Sequence, residues 1–267
     1  MKLRNLTVAF ALLLFISSCK SKKTIDVLIP EDAGMVIHIN AASLTSKLSW
    51  DEINQSSWFQ MANEKNNPND FERKLFILRN YAAHTINSTV RKDSIGFYVA
   101  SLSYKIIIYK GQLTSGQVRH YFPDLSNKRI VSAFGLVHSR FATNTFPSWK
   151  LAQPFRYIAH NGEINTLQGN LNWLKASEKG FTTPYFTKAE MEMLLPIISE
   201  GQSDSACLDN VIELLTLTGR SLPHVMMMLI PEAWDGNDKM DPVKKAFYEF
   251  HSSFMEPWDG PASISFT

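Results

Sequence analysis

The sequence predicts an α+β domain, in which short strands and amphipathic helices share a core. Three observations point there. Apolar runs of strand character occur at residues 97–111 ("FYVASLSYKIIIYKG") and 130–143 ("IVSAFGLVHSRFAT"), rich in β-branched and aromatic side chains. Leucines fall at helical spacing at Leu167, Leu171 and Leu174. The same 3.6-residue period returns at Leu208, Val211, Ile212 and Leu215. With 267 residues, 45% hydrophobic and 19% charged, the chain is long enough for one large core or two modest ones.

The N-terminus reads as a targeting segment. "MKLRNLTVAFALLLFISSC" has a basic start at Lys2 and Arg4, an apolar run over residues 8–16, then small residues and Cys19. The run is too short to span a bilayer as a helix. Ile16-Ser17-Ser18-Cys19 resembles a bacterial lipobox, which implies cleavage before Cys19 and a lipid on it. A plain signal peptide and an uncut apolar arm remain the alternatives. Residues 20–23 form a short basic tether, and residues 35–39 suit a strand. Ser49 with Glu52 has the spacing of a helix capping box. "NEKNNPND", residues 63–70, is polar, contains Pro68 and lacks apolar periodicity, so it reads as a linker. The expected organisation is a signal segment over 1–19, an N-terminal fragment and linker over 20–69, and a domain over 70–267.

Within that domain, residues 97–111 read as two strands joined by a tight turn near Ser103, and the run from 130 turns polar at His138. "RYIAHNGEINTLQGNLNWL", residues 156–174, places Asn161-Gly162 directly after a buried-strand pattern. Asn-Gly is the strongest two-residue hairpin signal. The helix over Leu208–Leu215 stops at Gly219. Met226 to Met228 read as core filling. Asp241-Pro242 reads as an N-cap followed by an N1 proline, with Ala246, Phe247, Phe250 and Phe254 along one helical face.

A formal net charge of +2 and the lack of a large Lys/Arg block argue against a nucleic-acid surface. The two cysteines, Cys19 and Cys207, make neither a disulfide framework nor zinc-ligand spacing.

Four segments, in order, carry a family resemblance: "VHSRFATNTFPSW" (137–149), "AQPFRYIAHNGEINTLQGN" (152–170), "SDSACLDN" (203–210) and "PWDGPASISFT" (257–267). Together they resemble the class II glutamine amidotransferase domain of the bacterial glutamate synthase large subunit. The resemblance implies a four-layer αββα N-terminal-nucleophile hydrolase fold. It also implies hydrolysis of the glutamine side-chain amide to glutamate and ammonia, for glutamate biosynthesis. That chemistry develops an oxyanion, and each donor fixed in advance for it is worth ~3 kcal/mol in the transition state. By the resemblance, the Asn161 side-chain amide and the Gly162 backbone N–H supply the oxyanion hole. Arg140 grips the glutamine carboxylate, Thr143 helps through its local backbone, and Asp204 holds the ammonium. The plainer readings are a simple turn for Asn161-Gly162, a surface charge for Arg140 and a helix cap for Asp204. His138 and His160 read as scaffold.

The sequence also departs from that family, whose nucleophile is an N-terminal cysteine with its own α-amine, titrating near ~8, as base. No segment ahead of residue 71 resembles that cysteine, its glycine and its strand. Cys207 lies inside a helix, and lipidation of Cys19 would consume its thiol. Residues 24–59, with "LSWDEINQSSWF", instead resemble the opening of a Bacteroides-group lipoprotein family. The expectation is therefore a fusion: a lipoprotein start joined to a glutaminase domain truncated at its N-terminal strands and inactive alone. The alternative is a non-catalytic, lipid-anchored envelope binding protein. Glutamine is the expected ligand, and further glutamate synthase domains are possible partners. The family's FMN and iron–sulfur cluster belong to domains beyond this chain, and no cofactor or metal is expected in it. Membrane anchoring through Cys19 is expected if the signal is used, whereas the parent family is cytoplasmic.

Overall fold

A computed structural model describes residues 68–89, 97–139, 146–199 and 201–267, all within the unit Ile37–Thr267. The signal segment with Cys19, the strand expected at 35–39, the helix expected at Ser49, and Arg140 and Thr143 lie outside the described residues. No described helix is long and apolar enough to cross a membrane.

The described elements are α1 (Pro68–Thr89), α2 (Ser115–Tyr121), 3-10 turns at Pro123–Ser126 and Trp149–Leu151, β1 (Ile158–Gly162), α3 (Leu167–Glu178), α4 (Lys188–Leu194), α5 (Asp204–Leu217), α6 (Leu222–Leu229), α7 (Pro242–Ser252) and β2 (Ala262–Phe266). The architecture is mixed, as expected, with helices around an antiparallel β1–β2 pair.

The core is built on α5. Leu208, Val211 and Ile212 are fully buried, and the helix packs against α1, α6 and β1. Each such side chain contributes roughly 1.5–3 kcal/mol of apolar burial. Ser203 caps α5 by accepting the Ala206 N–H. The helix ends, as expected, at Gly219, whose φ is +101°. Only glycine suits that position twice over, because a Cβ there would sit 2.4 Å from the Tyr185 ring.

Helix α1 begins inside the polar stretch read as a linker. Pro68 opens it, and Asp70 lies in the first turn, 2.6 Å from Arg73. Its buried face is unusual, since Arg73 and Arg79 flank Phe76 there. Arg73 donates to the Leu217 carbonyl at the end of α5, 2.8 Å away, and its guanidinium lies 4.0 Å from the centre of the Tyr185 ring. Two arginines on the inner face break the apolar pattern, which is why periodicity misses this helix.

The strands expected at 97–111 and in the described part of 130–143 are not formed: residues 97–139 hold no strand. A ladder needs a partner, and none of the described segments offers one to this region. Val131 is 89% exposed and Val137 88%. The turn near Ser103 is present, with the Ser103 hydroxyl accepting the Lys105 N–H at 3.0 Å. Lys110 ties this segment to the body, donating to the Lys150 carbonyl at 2.8 Å and the Tyr98 hydroxyl at 3.0 Å.

Helix α7 has the expected cap: Asp241 accepts the Val243 and Lys244 N–H groups. Its orientation corrects the expectation, however. Phe250 and Phe254 are exposed, and Tyr248 and His251 face inward. The inward face is set by His251, whose Nε2 lies 3.1 Å from His224 Nε2 on α6. Of the methionines, Met226 and Met228 are core and Met227 is exposed.

The histidine pair predicts a pH dependence of stability. Burial lowers the His251 pKa, and the neighbouring His224 and Arg220 lower it further. The unfolded chain therefore takes up a proton before the folded one does. Stability from this contact is full above roughly pH 6.5, the unfolded value, and is lost as pH falls below it. Thermal melts should drop as pH falls below about 6.5, and drop less in His251→Phe. An equal drop in both proteins would contradict this.

Candidate functional site

The site starts from how β1 is held. Asp209, fully buried on α5, accepts three successive backbone N–H groups: Arg156 at 3.2 Å, Tyr157 at 2.7 Å and Ile158 at 3.2 Å. Gln153 braces the strand further along. It accepts the His160 N–H at 2.7 Å and donates to the His160 carbonyl at 3.0 Å. The other edge pairs with β2, in the register His160↔Ile264, Asn161↔Ser263, Gly162↔Ala262. His160 is buried and Asn161 is exposed at the end of the strand, successive side chains pointing to opposite faces.

Asn161-Gly162 is thus not the centre of a hairpin between neighbouring strands. It ends β1 and pairs with a segment about a hundred residues later in the chain. Gly162 has φ +113°, and a Cβ there would stand 2.1 Å from the Pro261 carbonyl oxygen. The glycine is needed because the backbone of β2 comes so near.

Beyond β1, "INTLQGN" is a clamp on the C-terminal segment. Asn170, fully buried, donates to the Glu256 carbonyl at 2.8 Å and the Pro257 carbonyl at 3.1 Å. Thr166 lies 2.7 Å from Asn170 Oδ1 and accepts the Asp259 N–H at 3.0 Å. The Asn165 N–H donates to the Asp259 carbonyl at 2.8 Å. These bonds fix where β2 begins, and so where Asn161 points.

Asp204 sits at the first turn of α5, beside the end of β1. The cap itself is Ser203, so the plainer reading of Asp204 as the cap fails. Asp204 Oδ2 accepts the Ile164 N–H at 3.1 Å. Its Oδ1 accepts the Ser205 N–H at 2.7 Å and the Ser205 hydroxyl at 3.0 Å. His160 Nε2 is 2.5 Å from Ser205 Oγ and 3.7 Å from Asp204 Oδ1. Burial pushes the Asp204 pKa up, but His160 and the Ile164 and Ser205 N–H groups outweigh it and hold the carboxyl below its usual range. The helix N-terminus favours the same ionised form.

Below these residues lies a buried charge cluster that sequence reading missed. Glu213 Oε2 takes Arg79 Nη2 at 2.5 Å and Arg156 Nε at 2.7 Å. Arg156 also reaches Asp209 at 3.2 Å and hydrogen-bonds Asn210. Two cations and two carboxylates are enclosed together. Burial pulls the Arg156 pKa down, but Glu213 and Asp209 outweigh it and the net shift is upward. Burial pushes Asp209 up, against the pull of Arg156. The available signal was Asp209 and Glu213 one turn apart on an otherwise apolar helix, where paired cations should be sought.

Among the expected site residues, Asn161, Gly162 and Asp204 are brought to one end of β1, whereas Arg140 and Thr143 lie outside the described residues. His160 is buried, and His138 is partly buried in the extended segment. Cys207 is buried, and burial together with the nearby Asp204 charge pushes its thiol up to about 12. Among the described residues no cluster of three or more His, Cys, Asp and Glu could hold a metal.

A family model described as "Glutamine amidotransferases class-II" matches residues 13–267. The chain is 52% identical over 197 residues to the glutamate synthase (NADPH) large chain of Bacillus subtilis, covering 74% of this chain and 13% of that one. It is 53% identical over 197 residues to the glutamate synthase (NADH) of Schizosaccharomyces pombe, covering 73% and 9%. Ferredoxin-dependent glutamate synthase 2 of Synechocystis is 42% identical over 200 residues, covering 74% and 12%. The chain therefore spans only a small part of the length of each of these relatives.

Proposed function

The chain belongs to the class II glutamine amidotransferases, and from that premise we propose that it carries a glutamine-binding site of the glutamate synthase type which holds its ligand without hydrolysing it. The observation that carries this reading is the meeting of Asn161-Gly162 with Asp204 at one end of β1, bracketed by His160 and the Ile164 N–H. In this reading the Asn161 amide and the Gly162 N–H face the side-chain carbonyl of glutamine, where an oxyanion would develop. Asp204, held ionised, takes the α-ammonium. Arg140 takes the α-carboxylate through its planar fork, with Thr143 beside it. The domain is assigned to the four-layer αββα architecture, of which β1 and β2 form part.

Hydrolysis needs a thiolate within reach of that carbonyl. Cys207, the one cysteine among the described residues, is buried with its thiol pushed up to about 12, so it does not serve. FMN and iron–sulfur chemistry is assigned to other parts of the parent family, and the remaining glutamate synthase domains are candidate partners.

Titration calorimetry should show L-glutamine binding, with no ammonia released above the rate in buffer. Asp204→Asn should weaken binding about tenfold or more, the cost of a hydrogen bond to a charged group. Ammonia release that disappears in Cys19→Ser would overturn the non-catalytic reading. The lipobox-like segment ending at Cys19 supports a second element, a lipid-anchored envelope location. Labelling with a palmitate analogue in cells should mark the protein and fail in Cys19→Ser.

A further inference from the structure

We infer that His160 and Ser205 are positioning residues, forming a directed hydrogen-bond relay that fixes Asp204 Oδ1 and leaves Oδ2 to receive the ligand's ammonium group. The inference rests on the glutamine-site reading and deepens it. It starts from one hydroxyl hydrogen. Ser205 Oγ lies 3.0 Å from Asp204 Oδ1 and 2.5 Å from His160 Nε2. An ionised carboxylate only accepts, so the single Ser205 hydrogen points to Asp204. Ser205 Oγ must then accept from the ring, and His160 Nε2 carries the hydrogen.

A second observation selects the same tautomer independently. His160 Nδ1 is buried without a hydrogen-bond partner among the described residues. A bare ring nitrogen in that position costs less than a buried N–H with nothing to donate to. The direction of the whole chain is therefore set: His160 Nε2–H to Ser205 Oγ–H to Asp204 Oδ1. The backbone of His160 is itself held by Gln153 at both its N–H and its carbonyl, which anchors the residue that carries the first donor of the relay.

The consequence lies in the lone pairs of Asp204. Oδ1 accepts both the Ser205 hydroxyl and the Ser205 N–H, which uses its two lone-pair directions. Oδ2 accepts the Ile164 N–H and, among the described residues, keeps one direction open. A carboxylate pinned at one oxygen and open at the other accepts a primary ammonium in a fixed orientation. The site is thereby matched to amino acids whose α-amine is free and protonated, and it rejects those whose amine is acylated.

The test uses the full chain. Long-range proton–nitrogen NMR of the histidine rings should show His160 protonated at Nε2 and bare at Nδ1. Calorimetry should show binding of L-glutamine and none of N-acetyl-L-glutamine. Ser205→Ala and His160→Phe should each weaken L-glutamine binding about tenfold, as expected for a charge-assisted hydrogen bond released from its partner. His160→Gln, whose amide keeps a donor near Nε2, should restore binding to within about threefold. A ring protonated at Nδ1 overturns the relay, and needs no variant to fold. His160→Gln as weak as His160→Phe, or His160→Phe as tight as the unaltered protein, reduces His160 to packing and overturns it as well. Absence of L-glutamine binding in the unaltered protein would instead remove the site reading, and the positioning role with it.

Discussion

Glu213→Gln is expected to destabilise the folded chain by about 3–5 kcal/mol, the cost of breaking a buried ion cluster by removing one partner. Glu213 Oε2 alone receives both Arg79 and Arg156, and their side chains are 7% and 6% exposed. Without that carboxylate Arg79 has no anion among the described residues, and two buried guanidinium groups are left with only Asp209 to balance them. Burial already lowers the Arg79 pKa, and Arg156 lowers it further. The cluster also links α1, α5 and the approach to β1, so its loss loosens three elements at once. Urea denaturation measures the effect. Removing the stranded cation as well, in Arg79→Met with Glu213→Gln, should recover much of the loss, because Arg156 and Asp209 then balance. A single-variant loss below about 1 kcal/mol, or no recovery in the double variant, would show that the residues do not act as one buried unit.

Gly162→Ala is the second large effect. At φ +113° an alanine is held in a region that costs an L residue ~1–3 kcal/mol. Its Cβ would also stand 2.1 Å from the Pro261 carbonyl oxygen, a main-chain atom that no rotamer change moves aside. The strand pair must part at that end, so stability and L-glutamine binding should fall together. Gly116, in α2, where an added Cβ would meet nothing within 4 Å, is the control: Gly116→Ala should leave L-glutamine binding unchanged and hold or slightly raise stability, because alanine is the better helix former. A Gly162→Ala protein with unaltered melt and affinity would mean that β1 and β2 are not pressed together as described.

Local signals in the sequence are legible where they act over one or two turns. Asp241-Pro242 caps α7, Gly219 ends α5, and the leucines at 167, 171 and 174 lie in α3. The motif residues Asn161, Gly162 and Asp204 are legible as a set because their segments occur in a recognisable order. Three other features depend on partners that lie far away in the chain. The run at 97–111 has strand composition, but without a neighbour to complete a ladder it forms none among the described residues. The aromatic stripe of α7 suggests a packed face, yet the His224–His251 contact turns that helix the other way. Pro68–Thr89 is hidden because arginines occupy its inner face, and an inward arginine makes sense only once Glu213 and the Leu217 carbonyl are in view.

What the amino-acid order determined alone, then, was the set of caps, stops and apolar periods, and the identity of the residues gathered at the end of β1. Only the folded chain decided that Asn161-Gly162 pairs with Ala262 and Ser263 rather than turning back on its own strand, and that Asp209 and Glu213 are interior. The reason is physical: capping and helical period are satisfied within a few residues, whereas a buried charge or a strand edge is tolerable only when a distant segment arrives to answer it.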